Sequence, residues 1–142
     1  MQRTFILGPY SMPSRVLTGL TRAGLAAANA LEAGNPRVRR TASLAYGPDA
    51  RHRLDVHAPA EPARAPRPAI VFLHGGNWTY FGREQFRFVG SALAERGCVA
   101  VLPSFRCYPH CGLDEQLLDC AHAVRWARRH AREFGGDAER LY

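Results

Sequence analysis

A short apolar run that ends at two glycines constrains the fold of this chain more than any other feature. Residues 69–73 read Ala-Ile-Val-Phe-Leu, and His74-Gly75-Gly76-Asn77-Trp78 follows directly. A β-branched and aromatic run that stops at glycines predicts a buried strand opening into a tight loop. Adjacent glycines let backbone N–H groups approach a ligand closely, and preorganised N–H donors stabilise an oxyanion.

The remaining elements predict an α/β fold. Residues 42–46 and 53–57 form two short strand-like segments, and Gly47-Pro48-Asp49 supplies the turn of an antiparallel hairpin. A helix over 83–96 capped by Gly97 and a second apolar strand at 98–102 follow residues 69–73. Uninterrupted apolar strands joined by helices indicate a parallel sheet covered on both faces.

The last predicted helix begins at residue 113. Its apolar positions form one stripe that we expect to be buried: Leu113, Leu117, Cys120, Ala121, Val124 and Ala127. Acidic residues, including Asp119, lie early and arginines late, an order that complements the helix dipole. Gly135-Gly136 ends the helix.

Residues 1–40 predict an N-terminal arm that is partly helical, with Ser14 as a cap, and residues 41–142 a partial domain. The stretch 16–31 is too short and too polar to cross a membrane. No segment resembles a signal peptide, so the expected location is the cytoplasm, with the four cysteines as free thiols.

The formal net charge of +7 comes entirely from arginine, since the chain has no lysine. This composition is typical of a GC-rich bacterial genome. Dense runs occur only at 37–40 and 125–132, and the arginines are otherwise scattered. We therefore expect no nucleic-acid partner.

A metal site is not expected. Cys107, Cys111, Cys120 and His122 are the candidate ligands, but their spacing fits zinc poorly. Cys120 and His122 lie two residues apart on a predicted helix and point to different faces.

At this point the chain resembles the α/β-hydrolase fold, and in particular the esterases that carry a His-Gly-Gly-x-Trp loop. That group includes relatives of kynurenine formamidase, isoprenylcysteine methylesterase and the hormone-sensitive-lipase-like carboxylesterases. The matching segments occur in the family's order: 46–48, 53–56, 74–78, 88–97, 103–109 and 134–142.

The resemblance implies an oxyanion loop made of His74, Gly75, Gly76 and Asn77. The N–H groups of Gly76 and Asn77 would face the substrate oxyanion, Gly75 would shape the turn, and His74 would brace it. Trp78 would form a wall of the substrate pocket. The resemblance further implies a small-molecule ester or amide substrate and no cofactor or metal.

The first departure from the family pattern is Ser104, where relatives have aspartate before the equivalent of Arg106. We expect Arg106 or a neighbour to lack its charge partner.

The second departure concerns the nucleophile. No serine stands in a Gly-x-Ser-x-Gly sequence, so no Ser/Asp/His triad is expected. The chain is expected to be the N-terminal half of the fold, truncated before the nucleophile elbow and ending where the fifth strand begins. The third strand would then expose its edge and allow self-association. We therefore expect a chain of hydrolase lineage that retains the oxyanion loop but is inactive alone. The alternative, a non-catalytic basic interaction or dimerisation module, stays open.

Overall fold

The computed structural model describes residues 15–142. Three helices and five strands make up this part of the chain. They are α1 (Arg15–Leu31), β1 (Val38–Ala45), β2 (Arg53–Pro59), β3 (Arg67–Val71), α2 (Arg87–Glu95), β4 (Val99–Pro103), α3 (Leu113–His130) and β5 (Gly136–Leu141). Short 3-10 turns, Arg83–Phe86 and Ala131–Phe134, precede α2 and follow α3.

The five strands form one mixed sheet in the order β1-β2-β4-β3-β5. The predicted antiparallel hairpin is confirmed by the pairing of β1 with β2. β3 runs parallel to both β4 and β5, and it lies between them as the resemblance implied. The sheet is therefore that of the N-terminal half of an α/β-hydrolase, and the predicted fold class is confirmed.

The expectation that the chain ends before the fifth strand is wrong. β5 lies beside β3, with Arg67 opposite Gly136 and Ala69 opposite Leu141. Beyond the ladder, the Val71 N–H donates to the Tyr142 carbonyl at 2.8 Å. The edge of β3 is thus covered, and the predicted route to self-association through that edge is lost.

Helices cover both faces of the sheet. Leu54, Val56 and Ala58 of β2 pack in one core cluster with Ala127 of α3. Alternate residues of a strand point to opposite faces, so His57 faces the other side, where its ring packs against Gly90 of α2. Helix α2 ends as predicted at Gly97, which has a φ of +85°.

The predicted apolar stripe of α3 is wrong in part. Cys120 and Ala127 are buried, but Leu113, Leu117 and Val124 are 55%, 53% and 39% exposed. The buried face carries Gln116, Asp119, Cys120, Ala123 and Ala127. The buried face therefore combines two polar side chains, Gln116 and Asp119, with small apolar ones, and it carries no leucine.

The charges at the ends of α3 follow the prediction, with one exception. Asp114 and Glu115 lie in the first turn, and basic residues lie in the last turn. Asp119 is not one of the exposed charges that complement the helix dipole, because it is only 1% exposed. Its role is described below with the site.

Helix α1 spans Arg15–Leu31 of the N-terminal segment, and its predicted cap, Ser14, lies outside the described residues. The side chain of Asn29 attaches α1 to the start of α2: it donates to the Glu84 carbonyl at 2.8 Å and accepts from the Phe88 N–H at 3.0 Å. The boundary at residue 40 falls inside β1, and the division into arm and domain stays a prediction.

Within residues 15–142, no helix combines the length and the apolar character that crossing a membrane requires. The same residues contain no group of three or more His, Cys, Asp or Glu side chains placed to hold a metal ion.

Candidate active site

The loop after β3 turns through three consecutive residues with positive φ. Gly76, Asn77 and Trp78 have φ values of +137°, +52° and +60°. Gly75 is not among the residues with positive φ in the described part of the chain. The unusual backbone conformation is therefore concentrated at Gly76 and the two residues after it.

Gly76 is the glycine that the turn requires. A Cβ at this position would overlap the carbonyl oxygen of Tyr80 and come within 3.0 Å of the Phe81 ring. A Cβ at Gly75 would meet nothing within 4 Å. The turn expected to depend on Gly75 thus depends on its neighbour.

Backbone carbonyl groups of this loop accept hydrogen bonds from within the protein. The N–H groups of Thr79 and Tyr80 donate to the Gly76 carbonyl at 3.1 and 2.9 Å. The Trp78 carbonyl accepts from the Tyr108 N–H at 3.0 Å and from the buried Gln116 amide at 3.1 Å. By contrast, the N–H groups of Gly75, Gly76 and Asn77 donate to no acceptor within residues 15–142.

His74 is a packed, neutral ring. It stacks on Phe105 with ring centroids 4.4 Å apart and an angle of 8° between the planes. Its Nδ1 lies 2.9 Å from the Gly75 carbonyl oxygen, which indicates that Nδ1 carries the proton. Burial lowers the pKa of His74 below its ordinary value, so the ring is uncharged at neutral pH.

A cavity of about 280 Å³ lies over the loop. All five residues of the His-Gly-Gly-Asn-Trp sequence line it, and Tyr80, Phe105 and Cys107 complete the lining. Trp78 is 54% exposed, so it forms an outer wall of the cavity. The structure therefore brings together every residue that the sequence assigned to the oxyanion loop and the pocket.

Arg51, which the sequence did not single out, holds the surrounding loops. From the β1–β2 turn it donates to the Phe81 carbonyl at 2.6 Å and to the Phe105 carbonyl at 2.8 Å. Its guanidinium also lies 3.9 Å from the Cys107 sulfur. Sequence analysis could not identify this role, because the partners of Arg51 lie 30 and 54 residues away in the chain and no motif surrounds Arg51 itself.

The expectation that Arg106 lacks a charge partner is wrong. Its guanidinium makes two hydrogen bonds to Asp119, of 2.9 and 2.8 Å, and lies 3.6 Å from Glu115. Asp119 also lies 3.0 Å from Nε2 of His52. Helix α3 therefore supplies the carboxylate partner of Arg106 that Ser104 cannot provide.

Ser104 itself takes part in a second polar cluster. Its hydroxyl accepts from the Arg83 N–H at 3.0 Å and from the Arg83 guanidinium at 3.2 Å. Arg83 and Arg40 both bind Asp55, which is fully buried. Burial alone would raise the pKa of Asp55, but the Ser43 N–H and the two guanidinium groups lower it below its ordinary value.

The described serines stand away from the loop. Ser43, Ser91 and Ser104 do not line the cavity over Gly76, and Ser91 is buried on α2. Ser11 and Ser14 lie outside the described residues. The four cysteines are free, and Cys107, Cys111 and Cys120 are buried.

A glycine loop at the carboxyl end of β3, on a sheet of this order, is the arrangement found in the N-terminal half of the α/β-hydrolase fold. The chain belongs to the BD-FAE family, which it matches over residues 54–142.

Curated relatives agree with this assignment. The chain is 30% identical over 108 residues to a probable isoprenylcysteine alpha-carbonyl methylesterase of Arabidopsis thaliana, covering 76% of this chain and 22% of that protein. It is 36% identical over 93 residues to Esterase LipC of Mycobacterium tuberculosis, covering 65% and 23%. The chain thus spans about a quarter of the length of these relatives.

Among solved structures, esterase B of Lactobacillus rhamnosis is similar with a TM-score of 0.78 and 25% identity. The similarity covers 89% of this chain and 41% of that protein.

Proposed function

We propose that this chain supplies the oxyanion site of a hydrolase that acts on small carboxylic esters or amides. In such a reaction a serine hydroxyl attacks the substrate carbonyl carbon and the carbonyl oxygen becomes negatively charged. The N–H groups of Gly76 and Asn77 would donate to that oxygen. Trp78, Tyr80 and Phe105 would enclose the rest of the substrate.

The observation that carries this proposal is that carbonyl groups of the loop are hydrogen-bonded and three of its N–H groups, within the described part of the chain, are not. Its carbonyls are bonded within the protein, whereas three consecutive N–H groups beside the cavity have no acceptor within residues 15–142. Fixed N–H donors are what the transition state of acyl transfer requires. His74, which is neutral and stacked on Phe105, would support the loop.

We further propose that residues 1–142 alone do not turn over an ester. No Gly-x-Ser-x-Gly sequence occurs in the chain, and none of the described serines lines the cavity. An oxyanion site without a nucleophile retains only a small part of the rate enhancement. We place the protein in the cytoplasm of a bacterium, where its four free thiols would stay reduced.

The oxyanion site is tested with an anionic phosphonate monoester, such as methyl butylphosphonate, which mimics the tetrahedral intermediate. Titrated into the 15N-labelled chain, it should shift the amide signals of Gly76 and Asn77 in a saturable way. Gly75→Ala should keep this response, because its methyl group has free space, and Gly76→Ala should lose it. Shifts elsewhere in the protein, with these amides unchanged, would disprove the assignment.

The inactivity is tested separately. The chain should hydrolyse p-nitrophenyl acetate no faster than a heat-denatured control and should not react with a fluorophosphonate probe. Stoichiometric labelling of one serine would show that the chain carries its own nucleophile.

The alternative of a basic interaction or dimerisation module has less support. It relied on an open β3 edge, which β5 covers. β5 itself carries Asp137, Glu139 and Arg140, and charged side chains on an edge strand oppose pairing with another chain.

A further inference from the structure

A second cavity, of about 330 Å³, lies between the end of α1, the β1–β2 strands and α2. It shares no lining residue with the cavity over Gly76. Its polar lining includes Arg40, His57, Arg87 and Ser91, together with Glu32. None of the roles described for the loop explains this arrangement.

His57 is the most unusual residue in this lining. It is 1% exposed, yet both ring nitrogens lack a hydrogen-bond partner within residues 15–142. The ring is fixed from behind by α2, because a Cβ at Gly90 would come within 2.6 Å of its Cδ2 atom. Buried polar atoms are nearly always hydrogen-bonded, so two such atoms at a cavity wall require a partner on the cavity side.

The charge state of His57 follows from its surroundings. Burial lowers the pKa to about 4; Asp55 opposes this effect, and Arg40 and Arg87 add to it. The ring is therefore neutral at pH 7, with one nitrogen donating and the other accepting.

Arg87 supplies the positive charge of the cavity. Its Nε is buried without a partner, and the side chain makes no ion pair within the described residues. Arg40 also lines the cavity, but its guanidinium is bound to Asp55 at 2.8 Å. Arg87 therefore supplies a guanidinium that is in no ion pair with another residue of 15–142.

These groups define the charge and shape of the ligand. A guanidinium matches a planar carboxylate, which can accept two parallel hydrogen bonds from it. The Glu32 carboxylate on the same lining opposes a second negative charge. We propose that this cavity binds a small monocarboxylate, held by Arg87 with His57 and the Ser91 hydroxyl beside it.

The site is tested by NMR on the full chain labelled with 15N in its histidine rings. Sodium butyrate is the probe, and sodium chloride at the same ionic strength is the control. Butyrate should shift the His57 ring signals in a saturable way and leave those of the exposed His122 unchanged. An equal response to chloride, or no saturation, would show that the cavity holds only water.

Variants sharpen the test. Arg87→Gln should weaken butyrate binding at least tenfold, whereas Arg96→Gln, on the exposed end of the same helix, should leave it unchanged. Glu32→Gln should tighten butyrate binding, because it removes the opposing charge without a large change in shape. Equal affinity in wild type and both lining variants would overturn the proposal, as would inorganic phosphate binding tighter than butyrate. The amide signals of Gly76 and Asn77 report the other cavity, so the two proposals can fail independently.

Discussion

Asp119 holds Arg106 by two parallel hydrogen bonds, from Nε to Oδ2 at 2.9 Å and from Nη2 to Oδ1 at 2.8 Å. The same carboxylate accepts from the Arg106 backbone N–H at 3.1 Å and lies 3.0 Å from His52. One buried side chain of α3 therefore connects the loop after β4 with the β1–β2 turn. Both segments border the loop that carries Gly76.

Replacing this carboxylate should be costly. Asp119→Asn keeps the size of the side chain but leaves Arg106 without its buried counter-charge. Removing one partner of a buried ion pair typically destabilises a protein by several kcal/mol, and we expect a loss of about 3 kcal/mol in the free energy of unfolding. Urea unfolding measures this loss. Asp114→Asn, in the exposed first turn of the same helix, is the control and should cost at most about 0.5 kcal/mol.

The same carboxylate should make stability depend on acid pH. Burial by itself would raise the pKa of Asp119, but the hydrogen bonds from Arg106 and the contact with His52 lower it to about 2. Because the folded-state pKa lies below the unfolded value, the stabilisation is complete above about pH 4 and is lost as the pH falls toward 2.

The size of this contribution is about 2 kcal/mol, from a shift of somewhat less than two pKa units. The stability difference between wild type and Asp119→Asn should therefore shrink by this amount between pH 5 and about pH 2. Urea unfolding at several pH values tests it. A constant difference across this range would mean that the carboxylate titrates normally in the folded protein.

Replacement by alanine should destabilise the protein at Gly76 and have little effect at Gly75. Gly76→Ala should lose about 2 to 3 kcal/mol, because its methyl group overlaps the Tyr80 carbonyl and its φ of +137° is unfavourable for alanine. Gly75→Ala should change stability by less than about 0.5 kcal/mol. Thermal unfolding measures the stability of both variants. Equal losses of stability would show that the strained turn is not at Gly76.

The cysteines should differ in their reactivity toward iodoacetamide. Cys120 is buried and its burial raises the thiol pKa to about 11, whereas Cys98 is partly exposed. Alkylation proceeds through the thiolate, so at pH 8 Cys98 should react at least about a hundredfold faster than Cys120. Mass spectrometry of the alkylated peptides measures both rates. In urea the difference should disappear.

Two apolar runs allowed two of the five strands to be predicted. The segments 69–73 and 98–102 become β3 and β4, which are covered on both faces and therefore carry uninterrupted apolar residues. β5 was missed because Gly136–Leu141 pairs on one side only and contains just two apolar side chains among its charged ones. This strand has neither an uninterrupted apolar run nor a strict alternation of apolar and polar residues, which are the two patterns that predict a strand.

The site shows the same limit. The sequence alone indicated the loop residues 74–78, because their glycines and the preceding strand are adjacent. Arg51 and Asp119 were missed as supports, since their partners lie 13 to 67 residues away in the chain. The predicted apolar stripe of α3 is wrong in part because the buried face combines small apolar residues with Gln116 and Asp119, while the leucines are exposed.

The peptide unit between Trp78 and Thr79 has both of its polar ends engaged, the carbonyl by Tyr108 and Gln116 and the N–H by Gly76. Rotation of this peptide unit would break three hydrogen bonds. The loop is therefore held in a conformation in which its three free N–H groups stay unpaired within the described residues. The loop thus becomes ordered when the protein folds, so that binding of a ligand costs little further conformational entropy. Affinity in this pocket should accordingly vary with the charge of the bound oxygen and hardly at all with the flexibility of the loop.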